Sequence, residues 1–136
     1  MIVVDTNMIA YLYLSSGHSK QAEELLLNEP DWSAPILWRS EFRNVLAHYL
    51  RKKLLNLDDV MTILEEAEAL MSGKEYELSS RQVMQLVNKS DCSAYDCEFV
   101  ALARHLNVPL ITADKKILRE FPDDAQSLEV FLENMY

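Results

Sequence analysis

The sequence predicts an α/β fold: a central parallel sheet between two helical layers, α/β/α, within one domain spanning residues 1–136. Three observations carry this. Short apolar runs alternate with longer segments of helical period, the pattern that gathers strands into one sheet and lays helices on its faces. The first run, Ile2-Val3-Val4, has no polar alternation, as a strand covered on both faces requires. The chain is also 49% apolar with only two glycines and four prolines, which suits a packed core and leaves no linker.

After the first strand, residues 8–14 read as a short apolar helix, and Ser15-Ser16-Gly17 interrupts it. Ser19 is placed to cap a helix through Asn28, with Ala22, Leu25 and Leu26 inward, and Pro30 follows. Residues 32–36 form a second strand broken by Pro35. The longest helix is expected over 37–53, with Trp38, Phe42, Val45, Leu46, Tyr49 and Leu50 as its apolar stripe. A helix over 57–71 packs through Ile63, Leu64, Ala67 and Leu70, leaves Glu65, Glu66 and Glu68 to solvent, and ends at Gly73. Glu75-Tyr76-Glu77 is a short strand, and Ser79 or Ser80 caps a helix to Asn88. Ser93 opens a helix to Asn107 that is apolar nearly all round and should be buried. A strand over 109–112, a helix over 114–120, an edge strand over 125–128 and a last helix to Tyr136 complete the chain.

Composition narrows the function. No apolar run approaches the ~20 residues that span a membrane. No basic segment precedes the first apolar run, which is too short for a signal peptide, so a cytoplasmic location is expected. Cys92 and Cys97 are five apart, a spacing that fits neither a redox nor a zinc motif, and both read as small buried apolar groups. His18, His48 and His105 make no ligand pattern. The net charge of −9 argues against a broad basic surface for nucleic acid and suits a protein that concentrates acids.

Four acids stand off the solvated faces. Asp5 follows the first strand directly, at the carboxyl edge where open parallel sheets bind ligands; capping the next helix is the other role open to it or to Thr6. Glu41 shares its side of a helix with Trp38, Val45 and Tyr49, so it lies on the apolar stripe. In mid-helix it is no cap, burying it alone is costly, and Arg43 points elsewhere; the alternative is a glutamate that reaches past its neighbours to water. Asp96 lies on the stripe of Phe99, Val100 and Ala103, and Ser93-x-x-Asp96 also resembles a capping box. Asp114 follows Leu110-Ile111-Thr112 and repeats the placement of Asp5, with a cap as its alternative role. If the two strands are neighbours, all four carboxylates meet at one sheet edge. Clustered carboxylates repel, so they protonate or take up cations. Oxygen donors without His or Cys select Mg²⁺ or Mn²⁺, and such a site suits metal-assisted phosphodiester hydrolysis.

These residues resemble the motifs of the PIN-domain family, and among its members the stand-alone VapC-type ribonuclease toxins. The matching stretches are Val4-Asp5-Thr6-Asn7, Ser40-Glu41, Ser93-Ala94-Tyr95-Asp96 and Thr112-Ala113-Asp114, in the family's order and spread over essentially the whole chain. The resemblance implies a three-layer PIN-like fold and an endoribonuclease with Mg²⁺ or Mn²⁺ as cofactor. It makes Asp5, Glu41, Asp96 and Asp114 the catalytic metal ligands. Thr6, Asn7, Ser40 and Thr112 then orient carboxylates or water. It also implies RNA as substrate, an antitoxin as partner, and a homodimer, for which Tyr11, Tyr13, Trp32 and the 57–71 helix offer surplus apolar surface. RNA contacts would have to be local, through Arg39, Arg43, Lys115 or Lys116, or these are ordinary surface residues. Two other readings compete. A phosphoacceptor receiver domain needs an acidic pair at the first strand, where this chain has one acid. A PIN-like scaffold that binds RNA or protein without cleaving would keep the fold and lose the rate.

Overall fold

The computed structural model describes residues 1–135. Their elements alternate as the sequence predicts: β1 (Ile2–Val4), α1 (Thr6–Tyr13), α2 (Ser19–Asn28), β2 (Trp32–Pro35), α3 (Trp38–Arg51), α4 (Leu57–Met71), β3 (Glu75–Tyr76), α5 (Ser80–Asn88), α6 (Ala94–Leu106), β4 (Leu110–Ile111), α7 (Lys115–Glu120), β5 (Ala125–Gln126) and α8 (Leu128–Asn134). All pairings are parallel and the sheet order is β3-β2-β1-β4-β5. β1 is therefore central, and all three of its residues are buried. α6, with α5 behind it, packs on β1, β2 and β4, while α1 to α4 form the other helical group. The result is the three-layer α/β/α arrangement.

The order of the strands fixes where a site can form. The chain leaves β1 toward β2 and β3 on one side, then returns to lay β4 and β5 on the other. The reversal falls between β1 and β4, where an open parallel sheet leaves a crevice at the strands' carboxyl ends. Asp5 follows β1 and Thr112 follows β4, so both open onto that crevice.

Local chemistry sets most boundaries. Pro35 ends β2 without harm: Ala34 and Ile36 donate to the carbonyls of Lys74 and Tyr76, so the missing amide of Pro35 falls on the side where pairing with β1 has already stopped. Asn56 and Asp59 form a full capping box at α4, and Ser79, Ser93 and Ser127 each cap their helices through an amide three residues on. Gly73 at φ +78° and Asn107 at φ 55° turn the chain out of α4 and α6 in the left-handed region.

Several expectations are corrected. α1 begins at Thr6 rather than at residue 8, because Asp5 accepts an amide and starts it. His18, not Ser19, holds the cap position of α2; the Ser19 hydroxyl instead donates to the Leu14 carbonyl and fastens the preceding loop. α4, with 15 residues, is longer than α3 with 14. Glu68 is not free in solvent but pairs with Arg39 at 2.9 Å. Trp32 is a core residue with 1% exposure, so it offers no interface surface. The last helix is described through Asn134, and the expected end at Tyr136 lies outside the described residues. Cys92 and Cys97 are buried free thiols, and among the described residues no helix is long and apolar enough to cross a membrane.

Candidate active site

Each acid at the crevice is delivered by a different element. Asp5 sits in the turn from β1 into α1, in extended backbone, where the strand's burial carries it inward to 9% exposure. Glu41 stands in the first turn of α3, not in mid-helix, and is half-buried. Asp96 lies in the first turn of α6 behind the Ser93 cap. Asp114 is the cap of α7, two residues beyond buried Thr112. The end of α7 is tied back toward α6, since Glu120 accepts from the Asp91 amide at 2.7 Å.

A chain of short hydrogen bonds joins three of these elements. The Thr6 hydroxyl donates to Glu41 Oε1 at 2.7 Å, and the Thr6 amide donates to Asp5 Oδ1 at 2.8 Å. The Thr112 hydroxyl donates to Asp5 Oδ2 at 2.6 Å and accepts the Asp114 amide at 3.0 Å. Asn7 bridges the same gap more loosely: its side-chain NH₂ donates to Asp5 Oδ2 at 3.5 Å and its oxygen accepts the Ala113 amide at 3.4 Å. Two threonines and one asparagine thereby hold Asp5 against both neighbours in fixed orientation.

The electrostatics run against charge. Burial lifts the Asp5 carboxyl to about 6, against the pull of its bonds from Thr112 and Thr6, and the Glu41 and Asp96 carboxylates lift it further. Glu41 is also raised, first by burial and then by Asp96 and Glu98, with the Thr6 bond opposing. The buried Cys92 thiol is pushed up to about 11 by burial, with Asp96 and Asp114 among the charges it feels, so Asp114 belongs to the same neighbourhood and the thiol stays protonated. Among the described residues, no Lys, Arg or His pairs with Asp5, Glu41, Asp96 or Asp114. No group of three or more His, Cys, Asp or Glu stands close enough among those residues to enclose a metal ion by itself.

The structure thus brings Asp5, Glu41 and Asp96 within electrostatic reach of one another and links Asp114 to Asp5 through Thr112. Asp114 also fills its alternative role: one oxygen accepts the amides of Lys116 and Ile117 at 2.8 and 3.2 Å. Asp96 forms only half a capping box, because Ser93 accepts its amide without a return bond from the carboxylate. Ser40 is exposed beside Glu41 and makes no hydrogen bond to the acids. Arg39 is committed to Glu75 and Glu68, whereas Lys115 and Lys116 are exposed. Glu98 was not legible as a member of the group. It is half-buried, raised by burial, and felt by Glu41, yet it is two residues from Asp96, a spacing that on a helix points away. Its only sequence signal is its position inside the apolar run of α6.

Comparison with known proteins agrees with this fold. The family profile described as the PIN domain matches residues 2–123, and the chain belongs to that family. It is 29% identical over 124 residues to Ribonuclease VapC3 of Pyrobaculum aerophilum, covering 89% of this chain and 95% of that protein. The crystal structure of PAE2754 from the same organism superposes with a TM-score of 0.76 at 16% identity, over 98% of this chain and 88% of the other. That of FitAcB from Neisseria gonorrhoeae does so with a TM-score of 0.71 at 19% identity, over 93% and 96%. At those identities the two structures speak for the fold.

Proposed function

We propose that the protein is a divalent-metal-dependent endoribonuclease of the VapC type, the toxin of a toxin–antitoxin pair. One observation carries the reading: buried Asp5, held by Thr112 and Thr6 and crowded by Glu41 and Asp96, has no basic side chain to balance it. A structural acid in such a place acquires a cationic partner, and an acid cluster without one is a place for an external cation. The relative named Ribonuclease VapC3 supports the substrate class.

The donor set fits Mg²⁺ or Mn²⁺, because it consists of hard carboxylate oxygens, and burial raises both nearby thiols, Cys92 and Cys97, away from the thiolate form that binds metal. Mg²⁺ keeps several waters and is commonly held by one or two carboxylates with substrate phosphates. Asp5 and Glu41, joined through Thr6, would hold the ion directly, and Asp96 and Asp114 would act on it through its waters. When bound, the ion lowers the pKa of water and offsets charge on phosphate oxygens. The protein's own groups do the positioning. Thr112 and Asn7 fix the face that Asp5 turns to the crevice, and Thr6 does the same for Glu41. Without a metal, burial holds the Asp5 carboxyl up at about 6, and a cation bound beside it would favour the anion and displace its proton. An antitoxin and a homodimer belong to the same proposal through the likeness to VapC toxins; a monomeric mass by light scattering would remove the homodimer.

Cleavage of a fluorescent RNA tests the reading. Wild type should cut with Mn²⁺, stop in excess EDTA, and leave 5′-phosphate ends, while Asp5→Asn should lose activity by at least about a hundredfold. Equal cutting in EDTA, or 2′,3′-cyclic phosphate products, would overturn it. Metal-independent binding of RNA without cutting would instead favour the scaffold.

A further inference from the structure

Beside the acids, between α1, α7 and α8, lies a cleft of about 350 Å³. Its volume is in the range of small-molecule sites, about 300–1,000 Å³. Met8 and Leu128, both buried, line it on the apolar side. Tyr11 and His18 stand in it as a stacked pair, centroids 4.7 Å apart at 28°, and the His18 side chain is 47% exposed. Lys115 lines the side next to Asp114, and Glu129 lies across from it, 3.9 Å from His18 Nδ1. The cleft adjoins the acid cluster without including its carboxylates: Ala113, which lines it, is joined to Asn7 and thus to Asp5, and Tyr11 feels the charges of both Glu129 and Asp5.

We propose that this cleft receives the unstacked nucleobase next to the scissile phosphate of a single-stranded RNA, stacked on the Tyr11–His18 pair. The inference rests on the ribonuclease reading. Single-stranded RNA is recognised by splaying bases onto aromatic faces and bonding their edges, and the cleft offers both elements. Glu129 is an acceptor for an amine-bearing base edge. Lys115 supplies a cation for the backbone, and among the described residues it has no carboxylate partner. In a chain of net charge −9, Lys115 is the cation of this cleft that a backbone phosphate can meet.

The test separates binding from chemistry. A short RNA cut by wild type in Mn²⁺ is first mapped. Its affinity for the full chain is then measured in EDTA by fluorescence anisotropy, with an abasic nucleotide placed on either side of the cleavage point. At one of the two positions the abasic RNA should bind about tenfold more weakly than the intact one. Tyr11→Leu should remove that difference and Tyr11→Phe should keep it, which guards against simple misfolding. Glu129→Gln should weaken the preference for amine-bearing bases over uracil at the same position. The inference fails if wild type binds intact and abasic RNA alike while still cutting RNA, or if Tyr11→Leu keeps the discrimination. It also fails if hydrogen exchange protects residues 11–18 with a protein partner and not with RNA. Absence of any cutting in Mn²⁺ would bring down the ribonuclease reading itself, and the inference with it.

Discussion

α3 carries two kinds of acid chemistry within three residues. At Arg39 the helix reaches a cluster that is fully paired. The guanidinium meets Glu75 at 2.6 and 2.8 Å and Glu68 at 2.9 Å, and the Trp38 indole N–H donates to Glu75 at 2.8 Å. Those bonds, led by the one from Arg39, hold the Glu75 carboxyl below its ordinary range. Two residues on, Glu41 turns into the crevice, meets a hydroxyl and other acids, and is raised. Both clusters are partly buried, and neither is ornament. The paired one locks α3 to α4 and β3. The unpaired one stores repulsion that only a cation from outside relieves. A pKa displaced upward with no basic neighbour is the mark that separates a site from a staple.

The widest gap between the two clusters should appear in cleavage. Glu41→Gln should lower RNA cleavage by two orders of magnitude or more, whereas Glu75→Gln should leave the rate of the folded protein within about twofold. Rates measured at matched fraction folded, in Mn²⁺, check this. A Glu75→Gln protein as inactive as Glu41→Gln would erase the distinction.

The pH dependence of stability should differ in sign. Glu75, depressed, contributes stability that is present above its unfolded pKa and is lost as pH falls through the folded one. Asp5 behaves oppositely. Its folded value of about 6 exceeds the ordinary 3.8, so the native state holds the proton longer than the unfolded chain does. The unfolded state gains as pH rises from about 4 to about 6, and stability falls by on the order of 2–3 kcal/mol across that window before levelling. Denaturant melts in EDTA of wild type and Asp5→Asn should therefore diverge as pH rises from 4 to 7, with the variant gaining. A constant difference would mean that Asp5 is not the titrating group.

Legibility in the sequence followed the same divide. Asp5, Glu41, Asp96 and Asp114 stood out because each breaks a local rule: an acid closing an apolar strand, or an acid on an apolar helical stripe. Thr6 and Thr112 were legible as orienting groups only through the resemblance to the family's motifs. The strand and helix order could be read because the β1 run is unbroken and the α3 stripe keeps the helical period. The Arg39–Glu75–Glu68 cluster was illegible, since Glu68 and Glu75 lie 29 and 36 residues from Arg39 and each looks like an ordinary surface charge until α4 and β3 fold beside α3. Glu98 was hidden for a related reason, because its burial comes from the packing around α6 and not from its place in the helical period. The start of α1 was missed because Asp5 serves both as cap and as site acid, and periodicity sees neither. What the sequence withholds is contact at long range; what it shows is conflict at short range.

The smallest predicted effect is the sharpest, because it sets two terms against each other at one residue. Glu41 sits in the first turn of α3, where the helix dipole favours a negative charge by roughly 0.3–1 kcal/mol. Replacing it with Gln gives that up and keeps an acceptor for the Thr6 hydroxyl. The same replacement removes the burial of a carboxylate and its repulsion by Asp96 and Glu98, the causes that raise Glu41 against its bond from Thr6. The metal-free variant should therefore be more stable than wild type by on the order of 1 kcal/mol. Its Mn²⁺-induced rise in melting temperature should shrink, because one ligand is gone. Glu75→Gln should move the other way in EDTA. It leaves Arg39 and the Trp38 N–H short of an acceptor at a site where Glu75 is only 11% exposed, a loss of about 1–3 kcal/mol once the partial exposure of Arg39 is allowed for, and its Mn²⁺ response should be intact. Thermal melts of the three proteins with EDTA and with Mn²⁺ give four signs. If Glu41→Gln is destabilised in EDTA and keeps the full Mn²⁺ shift, Glu41 is a staple like Glu75 and leaves the site.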